Sequence, residues 1–167
     1  MRFAVCMFFA LAVVSGEQGI RATIKAVPQR SAAPALSLKD ASGKTVGLEQ
    51  YRGKVVLLNF WATWCHGCVL EIPWFMEFDK TYRNQGLAVV GVSMDGDGWK
   101  AINPYVAKTR VLYRILLGND GVAEKYGVRT MPDSYLIDRQ GRLAAIYSGL
   151  VDRGNIEANI KTMLSEH

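Results

Sequence analysis

Cysteine and histidine are scarce in this chain, which has three Cys and two His among its 167 residues. So few cysteines exclude the dense disulfide framework that supports many small secreted domains. Structural zinc takes four protein ligands and catalytic zinc three, and beyond Cys65 and Cys68 the chain offers only Cys6, His66 and His167. The scarcity argues against a zinc site, and we expect no metal and no other cofactor.

The chain also lacks an apolar run of the ~20 residues that a membrane-spanning helix requires. Its N-terminal apolar run, Phe3 to Val14, is shorter, follows Met1-Arg2 and precedes Ser15-Gly16. This order is typical of a secretory signal peptide. We therefore predict a signal peptide over residues 1–19, with an uncleaved N-terminal membrane anchor as the alternative. Either form places the remaining chain in the periplasm or another extracytoplasmic space.

Runs of Lys or Arg, internal repeats and low-complexity tracts are absent. The formal net charge of +5 is spread thinly along the chain, without the clustered basic residues that nucleic-acid binding requires. The length left after a leader suits one domain with a full core. We expect a monomer that binds no nucleic acid and contacts a membrane only if the N-terminal anchor is retained.

The remaining residues alternate between strand-like and helix-like patterns. Residues 20–35, with scattered Pro, Ser and Ala, are predicted to be a flexible linker. Leu36 to Leu48 form two alternating stretches around Ser42-Gly43, which predicts a β-hairpin. The pattern indicates an α/β domain over 36–167, with a central mixed sheet flanked by helices. Strands are predicted near 55–61, 87–94, 112–117, 134–137 and 143–147, and helices near 69–85, 99–108 (interrupted by Pro104), 121–126 and 156–164.

Trp64-Cys65-His66-Gly67-Cys68 lies between the apolar run 55–61 and a stretch with Ile72, Phe75 and Met76 on one helical face. The first cysteine therefore falls where a buried strand ends and a helix begins. Free backbone amides and the helix dipole at such a position favour a thiolate.

The spacing of the two cysteines is compatible with zinc binding, a structural crosslink or dithiol/disulfide cycling. Zinc is disfavoured by the missing ligands. A crosslink gains little because the loop between the cysteines is short. The sequence therefore favours redox cycling.

Three separated motifs carry a family resemblance. They are Gly53 to Asn59, Phe60 to Cys68, and Tyr126 to Asp138. Together they resemble the TlpA/ResA-like branch of thioredoxin-fold thiol:disulfide oxidoreductases, a redoxin group similar to AhpC-TSA proteins. The resemblance implies a thioredoxin-like fold over 36–167. It also implies that Cys65 is the nucleophile and that Cys68 resolves the mixed disulfide.

The same resemblance implies roles for residues around the cysteines. Pro132 occupies the place of a cis-proline that faces the disulfide. We expect substrate contacts from Trp64, His66, Gly67 and Met131. His66 is interpreted either as a cation that stabilises the thiolate or as a neutral exposed side chain.

Glu71 is the predicted proton acceptor for Cys68. Cytosolic thioredoxins have a buried Asp where this chain has Asn59, and an amide cannot accept a proton in this way. Glu71 follows Cys68 by three residues, on the neighbouring helical turn, and the TlpA/ResA-like branch has a Glu here. The alternative is that Glu71 is a solvated surface residue.

The resemblance thus implies an exported enzyme that reduces or exchanges disulfides in extracytoplasmic proteins, using a membrane or extracytoplasmic thiol donor. Cytochrome c maturation and oxidase assembly are the processes it suggests. A peroxiredoxin-like peroxidase is the first alternative, although the Pro that its signature places upstream is missing between Pro34 and Cys65. A copper-handling protein or a non-enzymatic interaction module are the others.

Overall fold

The two most apolar stretches of the chain form the centre of a seven-stranded mixed sheet in the computed structural model, which describes residues 19–166. β3 (Val55–Trp61) and β4 (Leu87–Ser93) pair in parallel, and every residue of both strands is buried. The spatial order is β2-β1-β5-β4-β3-β6-β7, the other strands being β1 (Ser37–Asp40), β2 (Thr45–Gly47), β5 (Arg114–Leu117), β6 (Asp133–Ile137) and β7 (Leu143–Ser148). The predicted α/β class and mixed sheet are confirmed.

Helices cover both faces of this sheet. They are α1 (His66–Tyr82), α2 (Trp99–Thr109), α3 (Asp120–Tyr126) and α4 (Arg153–Ser165). One apolar core joins the sheet to α1, α2 and α4, while the other face of the sheet packs against α3. Alternate residues of β3 point to opposite faces, so Leu57 and Trp61 belong to the first core and Leu58 and Phe60 to the second.

The predicted N-terminal hairpin is confirmed. β1 and β2 are antiparallel, and Gly43 in the turn between them has φ of 82°, a conformation that glycine adopts without a steric penalty. The Asp40 carboxylate accepts hydrogen bonds from the amides of Ser42 and Lys44. Because β1 also pairs with β5, the hairpin extends the main sheet at one edge.

The predicted interruption at Pro104 is wrong, because α2 continues through it to Thr109. Proline removes one helical hydrogen bond, but Ile102 is fully buried, and Tyr105 and Val106 pack against the core on the same helix. Tertiary packing therefore holds the helix across the proline.

Residues 20–35, for which composition predicts a flexible linker, lie along β7 and α4. The Lys25 amide donates to the Ala144 carbonyl at 2.8 Å. The buried Arg30 guanidinium forms ion pairs with Asp138 at 3.3 Å and Glu166 at 2.7 Å. These partners lie more than a hundred residues away along the chain, so local composition carries no sign of them. The segment is an ordered part of the domain surface.

The predicted signal peptide lies almost entirely outside the described residues. Within residues 19–166, no helix is long and apolar enough to cross a membrane.

Candidate redox-active site

Cys65 and Cys68 form a disulfide at the junction of β3 and α1, with an S–S distance of 2.02 Å. Cys65 is the N-cap residue of α1, and its sulfur accepts a hydrogen bond from the Cys68 amide at 3.2 Å. A helix N-terminus presents unpaired amides of this kind. The first sulfur therefore occupies the position where a developing thiolate receives the most favourable backbone dipoles.

The two cysteines differ in their access to solvent. The exposed fraction is 6% for Cys65 and 0% for Cys68. Cys68 begins the inward-facing stripe of α1, which continues at three- and four-residue intervals through Glu71, Ile72, Phe75, Phe78, Asp79 and Tyr82. Cys65 precedes this stripe as the N-cap residue and keeps a small exposed fraction, whereas Cys68 keeps none.

A buried carboxylate holds the loop that leads into the motif. Both oxygens of Asp95 accept hydrogen bonds from the Thr63 amide, and one accepts the Thr63 hydroxyl at 2.6 Å. Ser93, at the end of β4, donates to the same carboxylate. Asp95 therefore fixes the backbone just before Trp64. Asp95 could not be identified from the sequence, because its contact with Thr63 spans 32 residues and has no local signal.

The surface around the disulfide has apolar character. Trp64 is 69% exposed, and Val69 and Leu70 in the first turns of α1 are also exposed. His66, between the two cysteines, is exposed as well. Exposed large apolar side chains grouped along one short stretch are typical of interaction sites. Trp64 and His66 are both accessible to solvent, and their contact with a substrate stays a prediction.

Pro132 lies against the motif, and its peptide bond with Met131 is cis. A Cβ atom added at Gly67 would come within 3.1 Å of the Pro132 ring, tighter than an ordinary contact. Glycine at position 67 thus gives the Pro132 ring room beside the disulfide. The Pro132 carbonyl accepts a hydrogen bond from the Gly149 amide at 2.9 Å, and Met131 is half-buried against the core.

Glu71 is completely buried, which excludes the solvated-surface interpretation. It accepts a hydrogen bond from the Val151 amide at 2.8 Å, and the Asn59 side-chain amide lies at 3.4 Å from its other oxygen. Burial raises the pKa of Glu71 from 4.5 to about 8, while the Val151 and Asn59 hydrogen bonds lower it. Its carboxyl group therefore keeps its proton to a higher pH than a solvated glutamate does.

Asn59 reaches Glu71 because of the sheet register. It lies in β3 on the same face as Leu57 and Trp61, the face covered by α1. Ser134 in β6 is its direct cross-strand partner and accepts a hydrogen bond from the Asn59 amide at 3.0 Å. A polar row of Ser134, Asn59 and Glu71 thus runs under the first turns of α1.

The AhpC/TSA family profile matches residues 30–146, which is most of the chain. The chain belongs to the AhpC/TSA family.

Two proteins of similar sequence are named as thiol-disulfide oxidoreductases. Over 139 residues the chain is 32% identical to the thiol-disulfide oxidoreductase ResA of Geobacillus thermodenitrificans, covering 83% of this chain and 79% of the relative. It is 30% identical to ResA of Bacillus subtilis over 133 residues, covering 79% of this chain and 74% of the relative.

Among solved structures, a putative thiol:disulfide interchange protein DsbE from Chlorobium tepidum superposes with a TM-score of 0.75 at 31% identity. The match covers 81% of this chain and 97% of that one. A secreted thiol-disulfide isomerase from Corynebacterium glutamicum shares the fold, with a TM-score of 0.75 at 19% identity, covering 95% and 99% of the two chains. The chain is a thiol:disulfide oxidoreductase of the thioredoxin fold.

In this AhpC/TSA-family chain, the residues predicted from sequence converge on one site. Pro132 packs against Gly67 between the two cysteines, and Glu71 lies in the buried stripe of α1, one helical turn after Cys68. Ser134 and the Val151 amide contact Asn59 and Glu71 from distant parts of the chain, so local sequence patterns did not identify them. Within residues 19–166, no group of three or more His, Cys, Asp or Glu side chains is arranged to hold a metal ion.

Proposed function

We propose that this protein is an exported thiol:disulfide oxidoreductase that reduces or exchanges disulfides in extracytoplasmic proteins through Cys65 and Cys68. The observation that carries the proposal is the order of the two cysteines at the start of α1 above a buried carboxyl group. Cys65 is the N-cap and keeps 6% of its surface exposed, Cys68 keeps none, and Glu71 is buried one turn further along. We therefore assign attack on the substrate disulfide to Cys65 and resolution of the mixed disulfide to Cys68.

In the first step, the Cys65 thiolate attacks a substrate disulfide. A bond forms between the Cys65 sulfur and one substrate sulfur, the substrate disulfide breaks, and the other substrate sulfur leaves as a thiolate. The helix N-terminus contributes about 0.3–1 kcal/mol to the Cys65 thiolate. Since one pKa unit corresponds to about 1.36 kcal/mol, the dipole accounts for less than about one unit. A protonated His66 beside the sulfur would add to this stabilisation.

In the second step, Cys68 attacks the Cys65 sulfur and the mixed disulfide breaks. The Cys65–Cys68 disulfide forms, and the second substrate sulfur leaves as a thiolate that takes a proton from water. Two electrons have then passed from the protein dithiol to the substrate disulfide. Burial disfavours the thiolate form of Cys68, so this step needs a proton acceptor.

Glu71 is the acceptor we assign to Cys68. Residues three apart on a helix are neighbours, and both side chains are completely buried. A base with a pKa near the working pH is the most effective, and the Glu71 pKa of about 8 meets this condition. After accepting the Cys68 proton, directly or through a water, Glu71 returns it to solvent.

Pro132 is assigned to substrate docking. Proline has no amide hydrogen, and the Pro132 carbonyl is already bonded to the Gly149 amide. The backbone of Met131 then remains to pair with an extended substrate beside the disulfide. The exposed side chain of Trp64 offers an apolar contact for such a segment.

A membrane or extracytoplasmic thiol donor would return the disulfide to the dithiol state. Cytochrome c maturation or oxidase assembly is the process we assign, on the strength of the resemblance to TlpA/ResA-like proteins. The alternatives are a peroxidase, a copper-handling protein and a non-enzymatic module. Each predicts a different activity, and all of these activities can be measured on one purified sample.

We expect the reduced protein to reduce protein disulfides in a reaction that requires both cysteines, without comparable peroxide turnover or copper binding. Disulfide reduction, peroxide consumption and copper titration are measured on the same preparation, with a Cys65→Ser variant as the control. Peroxide turnover that exceeds disulfide reduction would support a peroxidase and contradict the proposal.

Export predicts a shortened chain. Protein recovered from an exporting host should lack roughly its first 16 to 20 residues, as a signal peptide ending near Ser15-Gly16 requires. The mass of the intact protein gives the position of the new N-terminus. An intact Met1 terminus in the membrane fraction would instead show a retained anchor, and one in the cytosol would contradict export.

A further inference from the structure

The short segment between β7 and α4 contacts the active site along one edge. We call residues 149–152 the connector. Its Gly149 amide donates to the Pro132 carbonyl at 2.9 Å, and its Val151 amide donates to the Glu71 carboxylate at 2.8 Å. The connector thus supplies one backbone hydrogen bond to the cis-proline and one to the buried carboxyl group.

The opposite edge of the connector is paired with residues 19–25, which we call the N-terminal strap. The Ile20 amide donates to the Leu150 carbonyl at 2.6 Å, and the Asp152 amide donates to the Ile20 carbonyl at 2.9 Å. In extended chain, the backbone groups of successive residues point to opposite sides. Gly149 and Val151 therefore face the active site while Leu150 and Asp152 face the strap.

Side-chain packing tightens the pairing of strap and connector. A Cβ atom added at Gly149 would lie 3.2 Å from the Ile20 side chain, so Ile20 packs directly on that glycine. A Cβ atom added at Gly19 would lie 2.4 Å from the backbone of Val151 and Asp152. Arg21 also forms an ion pair with Asp152 at 3.1 Å. The strap and the connector leave no room between them for a side chain at position 19.

We propose that the N-terminal strap is a positioning element for Glu71, acting through the connector and the Val151 amide. The inference rests on the role of Glu71 proposed above. Without the strap, the connector would lose the backbone pairing on its outer edge and keep the Val151 side chain in the core and the Asp152 cap of α4. The hydrogen bond from the Val151 amide to the Glu71 carboxylate would then be weakened, because the connector is held from one edge only. Residues far from the disulfide in sequence would in this way control resolution of the mixed disulfide.

The titratable groups that act on Glu71 lie elsewhere. Asp133, in β6, has a charge that raises the pKa of Glu71. The pKa of the buried Tyr113 hydroxyl is itself raised by Glu71 among other groups. Neither residue belongs to the strap. A change in the strap therefore reaches Glu71 through the connector rather than through a new charge.

Ile20→Pro tests the proposal because it removes the amide that donates to Leu150. This variant and the others below are made in the full-length, uncleaved chain, which keeps residues 19 and 20. Lys25→Pro is the matched control, since it removes a donor from the same strap whose acceptor is Ala144 in β7. We expect Ile20→Pro to slow the resolution step by about 10-fold, the effect of weakening a hydrogen bond to a charged group. The midpoint of its pH dependence should move upward, because the Val151 amide favours the charged carboxylate. Attack of Cys65 on a small aromatic disulfide should stay at the wild-type rate in both variants.

A double variant distinguishes positioning of Glu71 from a general structural effect. Combined with Glu71→Gln, Ile20→Pro should slow resolution no further. If Ile20→Pro does not fold, Gly19→Ala keeps every strap amide but introduces the 2.4 Å clash, and should have the same effect. Wild-type resolution in Ile20→Pro or Gly19→Ala, equal slowing in the Lys25→Pro control, or slowing that adds to that of Glu71→Gln would overturn the proposal. Wild-type resolution in Glu71→Gln itself would overturn the role of Glu71 as well.

Discussion

Glu71→Gln is expected to slow resolution of the mixed disulfide by about 100-fold or more, within the range for loss of acid–base catalysis. Glutamine keeps the shape of the side chain and an oxygen for the Val151 amide, but it cannot accept the Cys68 proton. The first attack by Cys65 should change little, because Cys65 caps α1 ahead of the buried stripe that contains Glu71. Stopped-flow measurement of both steps between pH 6 and 8 separates the two effects.

Glu77→Gln is the matched control for this variant. Glu77 lies on the same helix, but its side chain is 59% exposed and pairs with Arg153 at the surface. It should leave both steps at the wild-type rate. If resolution in Glu71→Gln follows the wild-type rate across this pH range, Glu71 is not the proton acceptor.

The stability of the protein gives an independent sign of the same titration. The folded-state pKa of Glu71, about 8, lies above its usual value of 4.5, so the folded protein binds this proton more tightly. The contribution of Glu71 to the free energy of unfolding is therefore fully present below pH 4.5 and is lost as the pH rises through 8. Glu71→Gln should remove this loss from the free energy of unfolding, as measured by denaturant titration at several pH values.

Cys68→Ser is expected to abolish turnover and to accumulate a mixed disulfide with the substrate. Serine cannot attack the Cys65 sulfur to release the substrate, while the first attack remains possible. Cys65→Ser should also abolish turnover but capture far less substrate, because the remaining thiol is buried. Non-reducing electrophoresis and mass spectrometry of the captured species measure the difference and identify the substrate. Equal capture by both variants would contradict the separate roles of the two cysteines.

Much of the fold could be predicted because its signals are local. β3 and β4 are continuous apolar runs, and the hairpin turn has glycine at the position with positive φ. The stripe of α1 follows helical spacing in the sequence itself. The course of residues 20–35 could not be predicted in this way, because Arg30 is held by Asp138 and Glu166, whose positions depend on the whole fold.

Some residues of the site could likewise be predicted from local sequence, and others depend on the whole fold. The motif from Trp64 to Cys68 and its place at a helix N-terminus follow from neighbouring residues. The burial of Glu71 does not, because it depends on Asn59 facing α1 and on the connector closing over the carboxylate. Asp95 was missed for the same reason, since its role appears only when β4 brings it to Thr63.

The order in which the two thiols of the reduced protein react with iodoacetamide at neutral pH tests the central claim most directly. Peptide mass spectrometry after short exposure times shows which sulfur is modified first. We expect Cys65 to be alkylated first, because it caps α1 and keeps a small exposed fraction, and Cys68 to stay protected in the folded protein. Alkylation of Cys68 before Cys65 would contradict the assignment of nucleophile and resolving thiol.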